Sequence, residues 1–155
     1  VRLANIAQTV NVLQAMVLTE GERLLLTPTW HVFEMYKVHQ NAHQLEVDLD
    51  VADTTFGGKA MPAIDASASR AADGTVHVTL CNTDPNQTLD LACDLRGVNA
   101  ASVTARILTA GEMTAHNTFA EPNRVRTVDF DGVALRPGGV TVQLPPMSVV
   151  LLALH

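Results

Sequence analysis

The sequence predicts a mainly β fold, an antiparallel sandwich or barrel, preceded by a short strand-and-helix unit. Three observations carry this. Short runs of residues alternate apolar and polar from residue 43 to the end. Turn clusters separate those runs at regular intervals, among them Gly57-Gly58, Asp73-Gly74, Asp84-Pro85-Asn86, Asp131-Gly132, Pro137-Gly138-Gly139 and Pro145-Pro146. The first 42 residues follow another pattern, mixing helical and strand signals.

Within those first residues, Leu3, Ile6, Val10, Leu13 and Val17 recur at helical spacing, although Val1 to Ile6 read equally well as a buried strand. Leu24-Leu25-Leu26 is a short strand. Thr27-Pro28 then opens a helix, with Thr as N-cap and Pro at the first helical position. Val32, Met35, Tyr36 and Val38 form its apolar face, and it ends near Asn41. One strand and one helix cannot bury their own faces, so this unit reads as the last piece of an upstream α/β domain.

The second part alternates most cleanly over His43 to Val51, which makes that segment a strand with Glu46, Asp48 and Asp50 on its solvated face. Further strands are expected over Thr75 to Leu80, Thr88 to Leu95, Val103 to Leu108, Val140 to Leu144 and Ser148 to Leu154. Asp73-Gly74 suits a hairpin turn. Val76, Val78, Leu80, Leu91, Cys93, Val149 and Leu151 are expected inward. Reading the runs around residues 82–87 as a hairpin puts Cys81 and Cys93 on opposite faces, too far apart for a disulfide. Two free thiols fit a reducing compartment.

Composition narrows the function. At 155 residues the chain suits one domain, with 47% hydrophobic residues for a core. A net charge of −6 argues against nucleic acid. The run from Val149 to Leu154 is far below the roughly 18 residues of a membrane span. No signal peptide is expected from Val1-Arg2-Leu3-Ala4, which lacks a basic n-region and a long apolar h-region. Nucleotide loops and the Gly-x-Ser-x-Gly elbow are missing from the sequence. His39 and His43 are four apart, but they read as a helix end and a strand start before they read as metal ligands. Trp30-His31 suits core or interface packing more than sugar stacking. Asn5 and Gln8 are amides within an apolar run. Buried amides need partners, so they either neighbour a cap or line a pocket.

Read continuously, the first part of the chain and two later segments resemble one family. They are Ala4-Asn5-Ile6-Ala7-Gln8-Thr9-Val10-Asn11-Val12-Leu13-Gln14-Ala15 with Leu26-Thr27-Pro28-Thr29-Trp30-His31-Val32-Phe33-Glu34-Met35-Tyr36-Lys37-Val38-His39-Gln40, then Ala115-His116-Asn117-Thr118-Phe119-Ala120-Glu121-Pro122-Asn123-Arg124-Val125, then Leu144-Pro145-Pro146-Met147-Ser148-Val149-Val150. Together they are similar to the C-terminal part of the α-L-arabinofuranosidases of glycoside hydrolase family 51.

The resemblance implies a division into residues 1–41, the last β/α unit of a catalytic (β/α)8 barrel, and residues 42–155, a jelly-roll-like β-sandwich. It implies a retaining hydrolase that removes terminal α-L-arabinofuranosyl residues. Its two catalytic Glu lie on barrel strands four and seven, upstream of Val1, so the isolated chain is expected to be inactive. Gln8 matches the glutamine that hydrogen-bonds the arabinofuranose at the end of the eighth barrel strand, and this site reading is preferred to a structural amide. No cofactor and no metal are implied. The implied partners are the arabinofuranoside, the barrel itself and further copies in a hexamer, with a cytoplasmic location. The full chain's N-terminus is expected to add a strand to the sandwich, leaving an open edge without it. The competing reading is a free-standing carbohydrate-binding sandwich. That would need an exposed aromatic row, and the sandwich has only Phe56, Phe119 and Phe130.

Overall fold

The computed structural model describes residues 6, 9–13 and 15–155. Strands β1 (Val17–Glu20) and β2 (Arg23–Leu26) form an antiparallel hairpin that turns at Gly21, whose φ of 58° is left-handed. Helix α1 (Pro28–Tyr36) comes next, then a 3₁₀ turn over Lys37–His39. Asn41, at φ 58°, redirects the chain into β3 (His43–Leu45). The helix thus starts where the sequence predicts, while α1 itself stops at Tyr36 and only the 3₁₀ turn carries the run on to His39, short of the expected end near Asn41. Residues 9–13 are bends and an isolated bridge, however, so the helical spacing of residues 3–17 does not mark a helix over its described second half. Leu13, on that supposed apolar face, is 91% exposed.

The remainder is strands. Hairpin β4 (Asp53–Phe56) and β5 (Lys59–Pro62) turns at the predicted Gly57-Gly58. The others are β6 (Ile64–Arg70), β7 (Val76–Asn82), β8 (Leu89–Asp94), β9 (Val103–Leu108), β10 (Val128–Asp129), β11 (Val133–Arg136), β12 (Gly139–Leu144) and β13 (Ser148–Leu154). A six-stranded sheet runs β10-β9-β13-β7-β6-β3, and a three-stranded sheet runs β11-β12-β8. Every strand pair is antiparallel, as the alternation requires. The β6–β7 turn uses Asp73-Gly74: Gly74 takes φ 92°, and the Asp73 carboxylate accepts the Thr75 N–H at 2.9 Å.

Two apolar cores share the large sheet. Between the sheets, Ile64, Val76, Leu80, Val150, Leu152 and Leu154 meet Val140, Val142 and Leu144. On the sheet's other face, Met35 of α1, fully buried, packs with Leu108, Val125 and Leu151. Burying such a side chain contributes about 1.5–3 kcal/mol.

Four expectations need correction. Val149 and Leu151 point to the α1 side, while Val150, Leu152 and Leu154 enter the inter-sheet core. β13 is covered on both faces, so its unbroken apolar run holds no alternation to read. Runs 76–82 and 89–94 are not a hairpin: β7 lies in the large sheet and β8 in the small one, so residues 83–88 cross between sheets. Both cysteines are nevertheless free, and Cys93 packs against the inter-sheet core. Third, the 43–51 strand stops at Leu45. Fourth, β1, β4, β5, β6, β10 and β11 are not among the expected strands. In β6 the inward Ala66 and Ala68 alternate with serines of similar size, which weakens the signal.

Along the outer side of β8, a groove of about 2040 Å³ lies open, floored by Ala66, Ala68, Val76 and Val78. No strand pairs with that edge of β8 among the described residues.

Candidate functional site

Gln8 and Asn5 lie outside the described residues. The loop after Gln8, residues 9–27, contains the β1–β2 hairpin and delivers the chain to α1. It closes on itself. Asn11, at φ 54°, donates its backbone N–H to the Val17 carbonyl at 3.0 Å. Its side-chain amide donates to the Thr19 hydroxyl at 2.8 Å, and its side-chain oxygen accepts the Thr19 N–H at 2.7 Å. Asn tolerates left-handed backbone better than most residues, which suits it to this corner.

Thr27 seals the other end. It occupies the N-cap position with extended backbone, but its hydroxyl caps nothing. That hydroxyl donates to the Ala15 carbonyl at 2.7 Å, with the Met16 carbonyl at 3.2 Å, while the Thr27 N–H donates to Met16 at 3.0 Å. Thr27 therefore ties the end of the loop to the residues just before β1, closing the base of the hairpin, a use of the residue that the N-cap reading missed.

The large sheet and its loops brace this unit at three points. First, Asn117, buried in the 109–127 loop, donates its side-chain amide to the Leu26 and Val125 carbonyls, both at 2.8 Å. Its side-chain oxygen accepts the Val125 N–H at 2.7 Å. Nearby, the Arg23 guanidinium lies 4.9 Å from the centre of the Phe119 ring and pairs with Glu20. Second, Glu34 of α1 receives Arg106 of β9 at 3.1 Å and Lys37 at 3.2 Å. Partial burial pushes the Glu34 carboxyl up, but the hydrogen bonds and charges of Lys37 and Arg106 outweigh it and hold the group below its ordinary range.

Third, His39 ends the 3₁₀ turn with both ring nitrogens engaged. Nδ1 lies 2.7 Å from the Ser69 hydroxyl and Nε2 lies 2.7 Å from the Thr79 hydroxyl. Burial, and then the neighbouring His77, push its pKa down. His43 begins β3, as expected. No group of three or more His, Cys, Asp or Glu is placed to hold a metal among the described residues. Trp30 and His31 are half-buried and meet edge to face at 5.1 Å, with His31 Nδ1 3.4 Å from the Thr127 hydroxyl.

Sequence reasoning missed Asn117, His39 and Thr27 as braces. Their partners lie as far as 91 residues away, as for Asn117 and Leu26, so no local spacing announces these contacts.

The family model of the α-L-arabinofuranosidase C-terminal domain matches residues 1–148. An intracellular exo-α-L-arabinofuranosidase of Bacteroides ovatus is 39% identical across a 155-position alignment that covers 99% of this chain and 30% of that relative. The crystal structure of a family 51 arabinofuranosidase from Xanthomonas axonopodis pv. citri superposes with a TM-score of 0.96 at 41% identity, covering 100% of this chain and 31% of that one. A family 51 α-L-arabinofuranosidase structure from Bifidobacterium longum gives a TM-score of 0.86 at 26% identity, covering 96% of this chain and 30% of that one. The chain thus spans about a third or less of each of these relatives. A family match over nearly the whole chain, on a fold reached independently from the alternation of its strands, shows that this chain belongs to the α-L-arabinofuranosidase C-terminal domain family of glycoside hydrolase family 51.

Proposed function

We propose that this chain is the C-terminal portion of a retaining α-L-arabinofuranosidase that releases terminal α-L-arabinofuranosyl residues from arabinose-containing oligo- and polysaccharides. The observation that carries the reading is the match to the Xanthomonas arabinofuranosidase over the full chain, which spans only 31% of that enzyme. Residues 1–41 are then the last β/α unit of the barrel, and residues 42–155 the sandwich. Helix α1 fits this role: it buries Met35 on the sheet yet leaves Phe33 40% exposed, a face free for a neighbouring barrel helix. The open edge of β8 fits the addition of a strand from the upstream polypeptide.

The chemistry needs two carboxyl groups roughly 5–5.5 Å apart. One, protonated, gives its proton to the glycosidic oxygen as the other attacks the anomeric carbon and the leaving group departs. Water, deprotonated by the first, then releases arabinose from the covalent intermediate and restores the nucleophile. Both groups belong to upstream barrel strands in this reading. Gln8 hydrogen-bonds the sugar, and loops at the ends of barrel strands build the pocket. No cofactor takes part. Intracellular naming of the Bacteroides relative supports a cytoplasmic location, and the enzyme assembles as a hexamer in this reading.

A free-standing carbohydrate-binding module fits less well. Phe119 lies beside Arg23 and Phe130 packs against the inter-sheet core, which leaves Phe56, at 75% exposure, as a lone stacking surface.

The test is hydrolysis of an aryl α-L-arabinofuranoside. The full polypeptide turns it over, the 155-residue chain does not, and Gln8→Ala in the full polypeptide lowers kcat/KM by about ten- to a hundredfold with its melting temperature retained. Turnover by the 155-residue chain alone overturns the placement of the catalytic pair. Unchanged kcat/KM in Gln8→Ala overturns its substrate role.

A further inference from the structure

The loop of residues 9–27 leads from Gln8 to α1, yet its outer strand is fixed by the sandwich. β2 is held at both ends from one segment, the 109–127 loop. Arg23, at its start, lies over the Phe119 ring at 4.9 Å. Leu26, at its end, gives its carbonyl to Asn117 at 2.8 Å. Asn117 is 5% exposed, and all three of its hydrogen bonds go to backbone, two of them fixing Val125 of its own loop. A side chain with both amide ends engaged has little rotational freedom. Leu26 passes the constraint on: Thr27, next in sequence, holds Ala15 and Met16 through its hydroxyl and N–H.

We propose that Asn117 is a positioning residue for the active site, setting from the sandwich the placement of the loop after Gln8. This rests on the proposed arabinofuranosidase function, in which that loop comes after the last barrel strand and so borders the substrate pocket. The chain of contacts runs Asn117, Leu26, Thr27, Ala15, each link a hydrogen bond or a peptide bond. Misplacing a pocket loop by about 1 Å costs on the order of a hundredfold in rate. The sandwich thereby contributes to catalysis while touching no reacting atom.

Asn82 supplies a matched control. It is also a buried asparagine, 1% exposed, whose amide donates to carbonyls, those of Gln87 and Pro145 at 2.9 Å and Leu144 at 3.2 Å. All of these partners lie within the sandwich. In the full polypeptide, Asn117→Ala and Asn82→Ala both lower the melting temperature. Asn117→Ala lowers kcat/KM by about ten- to a hundredfold, chiefly in kcat, while Asn82→Ala leaves kcat and KM within about twofold of wild type. Phe119→Leu, which removes the ring beside Arg23 without orphaning a buried polar group, lowers kcat/KM by about two- to fivefold. Wild-type kinetics in Asn117→Ala, with a melting temperature lowered as in Asn82→Ala, overturns the proposal and leaves the enzymatic reading standing. If Asn117→Ala does not fold, wild-type kinetics in Phe119→Leu overturns it instead. Absence of turnover in the wild-type polypeptide overturns the enzymatic reading and this proposal with it.

Discussion

His39 allows the join between the 3₁₀ turn and the sandwich to be measured. Its ring bridges the Ser69 and Thr79 hydroxyls at 2.7 Å each, and both hydroxyls belong to buried residues. His39→Ala removes two hydrogen bonds, each contributing about 0.5–1.5 kcal/mol net, and leaves at least one buried hydroxyl without its partner at about 1–3 kcal/mol. Thr79 keeps a long contact of 3.5 Å to the Ser67 carbonyl. The expected loss is about 2–4 kcal/mol. For a chain of this size that corresponds to a fall of about 5–15 °C in melting temperature. A urea-melt cycle of His39→Ala, Thr79→Val and the double variant isolates the Nε2 bond, with a coupling of about 1 kcal/mol expected. The sign of the pH effect comes from the lowered pKa. Between the folded pKa and the unfolded 6.5, the unfolded chain binds more protons. The His39 contribution is therefore complete above 6.5 and declines as pH falls from there through the folded value. His31 and His77 are shifted the same way, by burial first, and steepen the same decline. Wild-type stability should fall from about pH 7 to about pH 5 more steeply than that of His39→Ala. Additive single variants, or equal pH slopes, refute the bridge.

Two further outcomes come from local geometry. A Cβ at Gly139 would stand 2.1 Å from the Cys93 carbonyl oxygen, whereas one at Gly138 meets open space but inherits φ +73°. Gly138→Ala should cost about 1–2 kcal/mol from backbone conformation alone, and Gly139→Ala should cost more in the same urea melts, because β12 must move away from β8. Equal costs would refute the close approach. The thiols of Cys81 and Cys93 are both pushed up by burial, so both should titrate as free thiols in denaturant and react slowly with a thiol reagent in the native state at about pH 8. One fast native thiol, or no free thiol after unfolding, contradicts this.

What could be read from the sequence depended on whether a strand has one covered face or two. β12 alternates buried and exposed from Val140 to Leu144, and its place in the small sheet accords with that. β13 lies between β7 and β9 with a core on each side, so its apolar run marked a strand without saying which residues entered which core. β7 illustrates the opposite trap. Thr79 is polar and lies on the face away from the inter-sheet core, which reads as solvent-facing, yet it is fully buried because His39 covers it. A polar residue reports that a partner exists, and the partner need not be water. The substrate contact proposed for Gln8 rests on the family resemblance alone, and Asn117 is legible only as part of a matching segment, since its partner Leu26 belongs to a distant element.

The segment from His43 to Val51 shows what alternation does and does not specify. Its pattern is cleaner than that of β6, yet only His43–Leu45 joins a ladder, against Arg70 to Ala68. Alternation encodes which side chains seek cover; a strand needs, in addition, a neighbour whose N–H and C=O groups face its own. Beyond Leu45 the chain leaves β6, and Val47 and Leu49 are 39% and 41% exposed along the wall of the groove beside β8. Across that groove Leu89, Leu91 and Cys93 turn half-buried side chains toward the same space, while Asp90 and Asp94 point outward. Both walls therefore present apolar residues at strand spacing, and the β8 edge supplies the unpaired backbone. A strand added there would bond to β8 and cover the apolar residues on both sides at once. The alternation at 43–51 thus matches a face that seeks cover without a ladder partner among the described residues, and that is why a clean pattern yields so short a strand.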